Sequence, residues 1–229
     1  MDIIRSFQEV VRTSPNNIAL IYEDQQYSYA ELDMLSDKVA SFLQAKDTKG
    51  KQVGVAMQRC PEWIIAMLGI WKAGAVYVPL DLGNPSQRLE HIITDCKIAL
   101  VLETNASGFN PSHVPSYIVN EKMGDGTDFT YEGIDEDALA VILYTSGTSG
   151  IPKGIPVRHH QAVAMSRWAN ERHFYTSEGD RMLQMGGLNF GASLVETLGN
   201  LLYGACLVMA TEEEKHDPHR LQALLMKEK

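Results

Sequence analysis

The sequence predicts an α/β protein: two subdomains of βαβ type, in which a largely parallel sheet carries helices on both faces. Short apolar runs of strand character alternate with helical segments of about ten residues, the order that βαβ units require. Runs such as VYVPL and LAVIL are apolar throughout, as expected of strands covered on both sides. A chain of 229 residues that is 45% hydrophobic can bury one large core or two smaller ones.

Ile3, Ile4, Phe7, Val10 and Val11 recur at helical spacing ahead of Pro15, so the chain opens on an amphipathic helix. Ile18–Glu23 and Gln26–Ser28 predict a hairpin turning at Asp24-Gln25. Ser28 and Glu31 then stand as a capping box before the apolar-periodic Leu32, Leu35, Val39, Phe42 and Leu43. Their hydroxyl and carboxylate satisfy N–H groups that would otherwise cost about 1 kcal/mol each. Gln52–Met57 is a strand, Pro61 starts a helix over Glu62–Lys72 that Gly74 ends, and Val76–Leu80 is the next strand. Ser86–Cys96 is a helix and Ile98–Glu103 a strand.

Between Thr104 and Asp137, Asn, Ser, Gly and Pro accumulate around one short strand, Ser116–Val119. The subdomain boundary is placed there, giving units 1–130 and 131–229. The second unit runs from the strand Leu139–Leu143 through an extended return at Gly154–Val157 to a helix, His159–Phe174, with Ala162, Val163, Met165, Ser166 and Ala169 facing inward. A strand Arg181–Met185, a helix Leu194–Tyr203, a strand Ala205–Ala210, an acidic turn Thr211–Asp217 and a helix from Pro218 follow.

The strand Leu139–Leu143 empties into a stretch made almost entirely of Gly, Ser and Thr, closed by Pro152, Lys153 and Gly154. Glycines let a loop bring backbone N–H groups against an anion. The hydroxyls of Thr145, Ser146, Thr148 and Ser149 add donors, and Lys153 adds a positive charge. This is the composition of a phosphate cradle. A plain Gly/Ser linker is the alternative, but such linkers do not usually leave a buried strand and end on Pro-Lys-Gly. The phosphate loop of nucleoside triphosphatases needs Lys directly after its second spaced glycine; Lys153 follows Pro152, so that class drops out.

A balance of 29 acidic against 20 basic residues, a net charge of −9, argues against a reader of nucleic-acid backbone. Cys60, Cys96 and Cys206 lie far apart without metal-ligand spacing and read as reduced thiols, with no structural zinc. His159 and His160 point about 100° apart on a helix with no further ligand at spacing, which favours a helix-start or packing role. The N-terminus lacks a long apolar core and no run approaches the roughly 18 apolar residues of a membrane helix, so a cytoplasmic protein without membrane partners is expected.

YTSGTSG-x-PKG, from Tyr144, resembles the phosphate-binding signature of the adenylate-forming enzymes, the superfamily of acyl-CoA synthetases and nonribosomal peptide synthetase adenylation domains. SYAEL from Ser28, WKAGAVYVPLD from Trp71 and FGASLVE from Phe190 resemble further signatures of adenylation domains, in the expected order. The chain thus resembles the N-terminal portion of such a domain over essentially its whole length. Lys72 and Asp81, inside the second signature, are read as packing and turn residues.

The resemblance implies a two-step reaction. A carboxylate attacks the α-phosphate of ATP to give an acyl-adenylate and pyrophosphate, and the thiol of a carrier protein's phosphopantetheine then takes the acyl group. Thr145, Ser146, Gly147, Thr148, Ser149, Gly150 and Lys153 would hold the β- and γ-phosphates. No catalytic residue is assigned in this portion; ligands for Mg²⁺, the ribose-gripping aspartate and a C-terminal lid with its lysine are expected outside it. The implied partners are a small carboxylic acid, a carrier protein and the remainder of the synthetase.

Phe190, Gly191, Ala192 and Val195 would line the acid pocket. Relatives acting on α-amino acids usually carry Asp where Gly191 stands, to pair the substrate ammonium. Leaving an ammonium buried and unpaired costs several kcal/mol. An α-keto, α-hydroxy or β-amino acid is therefore expected, with fatty acids open and aryl acids less favoured because those relatives often carry Asn there. Two alternatives remain: an acyl-CoA synthetase, and a non-catalytic truncated adenylation fold used for docking.

Overall fold

The computed structural model describes residues 1–228 apart from 106, 110, 112, 121–122, 125–128, 147–151, 175–176 and 188–190, with the backbone alone at 146, 173 and 174. The first half runs α1 (Ile3–Thr13), β1 (Ile18–Tyr22), β2 (Gln25–Ser28), α2 (Tyr29–Ala45), β3 (Gln52–Ala56), α3 (Pro61–Lys72), β4 (Val76–Pro79), α4 (Ser86–Cys96) and β5 (Leu100–Glu103). There follow β6 (Ser116–Ile118), β7 (Leu139–Ser146), β8 (Pro152–Arg158), α5 (His159–Ala169), β9 (Arg181–Gln184), α6 (Gly191–Leu201), β10 (Cys206–Met209), α7 (Glu212–His216) and α8 (Pro218–Lys227).

The strands form two sheets, ordered β2-β1-β10-β9 and β6-β5-β3-β4-β7-β8. Neighbours are parallel except in the two hairpins, β1–β2 and β7–β8. Each sheet draws strands from both sides of residue 130: Leu20 of β1 pairs with Leu207 of β10, and Tyr77 of β4 with Val141 of β7.

Alternation along each strand decides which helices it meets. Val53, Val55, Leu100 and Leu102 face a core shared with Leu20, Leu207 and Met209 of the other sheet. On the opposite face Ala56, Val78 and Val101 meet Leu89, Ile92 and Ile93 of α4. Cys206 and Val208 likewise turn away from the shared core to meet Leu224 of α8. The expected α/β class, with helices on both sheet faces, is what the chain builds.

Every residue of α3 but Glu62 is buried, close to the state of a helix covered on all sides. Trp71 at its end donates from Nε1 to the Ala140 carbonyl at 2.8 Å, tying α3 to the start of β7. Lys72 is enclosed beside it and donates to Asp33 Oδ1 and Asp37 Oδ1, each at 2.6 Å. The capping box at Ser28 and Glu31 forms as expected.

Several boundaries differ from expectation, each for a local reason. The first hairpin turns at Glu23-Asp24 because Glu23 adopts a left-handed φ of 55°, which brings Gln25 opposite Tyr22. The supposed acidic turn is the helix α7, nucleated by a capping box of Thr211 and Glu214. α6 begins at Gly191 rather than Leu194. α5 passes at Asn170–Phe174 into a π-helical turn, and Met165, expected inward, is 39% exposed. The cysteines are free thiols, Cys96 and Cys206 buried and Cys60 partly so. Among the described residues no helix is long and apolar enough to cross a membrane.

His159 lies at the first turn of α5, 1% exposed, with its ring edge-on to Trp71 at 6.4 Å. Burial depresses its pKa from 6.5 to about 4, against a smaller opposing pull from Asp2. The unfolded chain therefore takes up the proton first. Stability from this residue is complete above pH 6.5 and falls by roughly 3 kcal/mol as the pH drops to about 4. Urea unfolding across that window should show the slope, and His159→Phe should flatten it; an unchanged slope in the variant would assign it elsewhere.

Candidate active site

The β7–β8 hairpin sets Thr145 opposite Lys153 and Tyr144 opposite Gly154. Gly147, Thr148, Ser149 and Gly150 of the expected cradle, with Phe190 and the Ser146 side chain, lie outside the described residues. Thr145 and Lys153 are both exposed, so a hydroxyl and an ammonium flank the two ends of the loop.

The tyrosine ring explains the glycine across from it. A Cβ at Gly154 would stand 2.9 Å from Ile142 Cγ2 and 3.1 Å from Tyr144 Cζ, so a side chain there would force the ring aside. The Tyr144 hydroxyl donates to Asp95 Oδ2 on α4 at 2.6 Å. Burial, and then that carboxylate, push the phenol far above its ordinary range, so it stays a donor and anchors the arm that delivers the loop.

The acid-side residues Gly191, Ala192 and Val195 occupy the first turns of α6. Ala192 is exposed and Val195 half-buried. A Cβ built on Gly191 would make ordinary contact with Leu143 Cδ1, at 3.8 Å, and the residue has no positive φ. Neither backbone nor space among the described residues demands glycine at this position. Leu143 belongs to β7 and shares a core with Leu194 of α6, so the strand that feeds the loop lies close to the start of α6.

Four side chains outside the quoted signatures' assigned roles also meet here: Arg59, Gln184, Ser193 and Glu196. Arg59 is 4% exposed and reaches the Gln184 and Gly186 carbonyls, while Glu196 accepts from the Gly186 N–H. A cleft of about 340 Å³ opens beside them at the ends of β3 and β4, lined by Met57, Gln58, Arg59, Asp81, Gly187 and Lys215 among others. Sites of open α/β sheets lie at such strand ends. No local spacing announces this group, because Arg59 and Gln184 come from different sheets.

Known proteins share this chain's sequence and fold. Gramicidin S synthase 2 of Brevibacillus brevis is 32% identical over 224 residues, which are 96% of this chain and 5% of that protein. The crystal structure of the nonribosomal peptide synthetase FmoA3 superposes with a TM-score of 0.90 at 25% identity, covering 100% of this chain and 24% of its own. The N-terminal subdomain of Klebsiella oxytoca NpsA gives 0.82 at 26% identity, covering 92% of this chain and 55% of its own. This chain thus spans a small part of the synthetase it matches. A family model described as AMP-binding enzyme matches residues 7–229. The resemblance carried by the four signatures therefore holds, and the chain belongs to the AMP-binding enzyme family.

Proposed function

We propose that the chain is part of an enzyme that uses ATP to activate a carboxylic acid as its acyl-adenylate, for transfer to a carrier protein's phosphopantetheine thiol. The carrying observation is the meeting at Leu143. One strand leads to the loop flanked by Thr145 and Lys153, and its Leu143 shares a core with Leu194 near the start of α6, so a triphosphate and a carboxylate would be held side by side. A carboxylate oxygen attacks the α-phosphorus, the bond from that phosphorus to the bridging oxygen breaks, and pyrophosphate leaves. Thr145, Lys153 and the Ser146–Gly150 segment hold the departing phosphates, and positioning with charge stabilisation supplies the rate. The carrier thiolate then attacks the acyl carbon and AMP departs.

Among the described residues no group of three or more His, Cys, Asp or Glu could hold a metal ion.

The acid itself is proposed to lack an α-ammonium: an α-keto, α-hydroxy or β-amino acid. Gly191 offers no carboxylate. Glu196 is the one acid on α6, GASLVETLGNL, and it is committed to the Gly186 and Met185 N–H groups at 2.9 and 3.3 Å. An α-ammonium beside this helix would stay unpaired at a cost of several kcal/mol. ATP–pyrophosphate exchange with a panel of acids tests this on the protein that carries the chain. Exchange with keto or hydroxy acids is expected, and exchange confined to standard α-amino acids would sink the proposal. Gly191→Asp, whose Cβ would make only ordinary contact among the described residues, should add exchange with an α-amino acid.

A further inference from the structure

Arg59 is the most heavily bonded buried cation among the described residues. From just past β3 its Nη1 donates to the Gln184 carbonyl at 3.1 Å and to Gln184 Oε1. Its Nη2 donates to the carbonyls of Met185 at 3.0 Å and Gly186 at 2.6 Å. Its Nε pairs with Glu212 Oε1 at 3.1 Å. Only a guanidinium has the donors and the fork to serve so many acceptors at once.

The same turn is gripped from the other side by an anion. Glu196 Oε2 accepts from Gly186 N at 2.9 Å and Met185 N at 3.3 Å. Gln184 Nε2 completes the network, donating to the Gly186 carbonyl at 2.9 Å and to Ser193 Oγ at 3.0 Å. The fit leaves no room for a side chain: a Cβ on Gly186 would stand 2.9 Å from Glu196 Oε2 and 3.0 Å from Ser193 Cα. Both polar groups of the Gly186 peptide are thereby fixed, one by a buried cation and one by a carboxylate.

We infer that Arg59 and Glu196 are positioning residues for the acid substrate: together they fix the Met185–Gly187 turn against the first turns of α6. These two fixed pieces bracket residues 188–190 in the chain and end at Gly191. The inference rests on the proposed carboxylate activation and deepens it, because it assigns the acid side of the site a rigid support that the phosphate loop does not share. Arg59 bonds to β9 and its following turn, whereas Thr145 and Lys153 stand on the β7–β8 hairpin.

The test separates the two sides of the site. Arg59→Lys keeps the charge but loses the fork, and Glu196→Gln keeps an oxygen acceptor but loses the charge. In ATP–pyrophosphate exchange, each is expected to raise the KM for the acid about tenfold or more while the KM for ATP stays within about twofold, because misplacing a substrate group by about 1 Å is enough for such losses. A parallel rise of both constants together with a lowered unfolding midpoint would overturn the inference, as would no change in either. Should the unmutated protein exchange with no acid at all, the functional reading falls. Hydrogen exchange then judges the clamp separately: Gly186 amide protection lost in Arg59→Lys, with β10 amides unaffected, upholds the support, and unchanged protection removes it.

Discussion

Replacing Lys153 by Ala is expected to lower ATP–pyrophosphate exchange by about a hundredfold or more and to leave the unfolding midpoint nearly where it was. The size follows from the role: removing one donor aimed at developing charge costs about 2.7–4 kcal/mol in the transition state. The neutrality toward folding follows from the position. Lys153 is exposed on β8, and among the described residues it makes no ion pair. Lys153→Arg should recover part of the loss, since it restores charge with a different reach. Calorimetric titration with ATP should show weakened binding in the Ala variant. Full exchange in that variant would remove the phosphate-gripping role from this lysine.

Lys72→Ala should have the opposite signature, a loss of stability of about 3 kcal/mol with no direct effect on nucleotide binding. Its side chain is enclosed, and its ammonium serves Asp33 and Asp37, which lie one turn apart on α2 and are each 24% exposed at the side chain. Removing it leaves two neighbouring carboxylates facing each other without a cation. The loss sits at the low end of the range for broken buried pairs because both acids keep an edge to water. Burial already raises the Asp37 carboxyl, with Lys72 pulling the other way. Without Lys72 the raised pKa rises further, so protonation should relieve the variant, and the deficit should be largest at neutral pH and shrink as the pH falls through the carboxylate range. Asp33→Asn or Asp37→Asn should cost less, because the ammonium then keeps one charged partner. Urea midpoints at two pH values check both statements; a deficit independent of pH would mean that lost packing, not charge, dominates.

Features written into neighbouring residues are the legible ones. The capping box of Ser28 and Glu31 and the span Ser86–Cys96 depend on bonds within a few residues, and both stand as expected. The same kind of signal is present at Thr211 and Glu214, but the acidic run around it resembles a solvated turn and hides α7. Gly191, Ala192 and Ser193 look like a turn by composition, yet they open α6. Long-range features are not legible. Nothing in Arg59 or Gln184 shows that they meet from opposite sheets, and nothing in IALIY shows that its parallel partner is CLVM. The proposed phosphate loop can be put forward from sequence because its chemistry is local, whereas the proposed support of the acid side cannot because it is assembled from distant segments.

The pairing of β1 with β10 has a consequence for biosynthesis. The β1–β2 hairpin leaves the ribosome well before Cys206–Met209, the strand that completes its sheet. At roughly 5–20 residues per second that wait is on the order of ten to forty seconds. During it one edge of Ile18–Tyr22 has no strand beside it, and such an edge can recruit a strand from another nascent chain. Slow translation between the two strands is thus a period of aggregation risk, and a chaperone that shields the β1–β2 hairpin should raise the soluble yield.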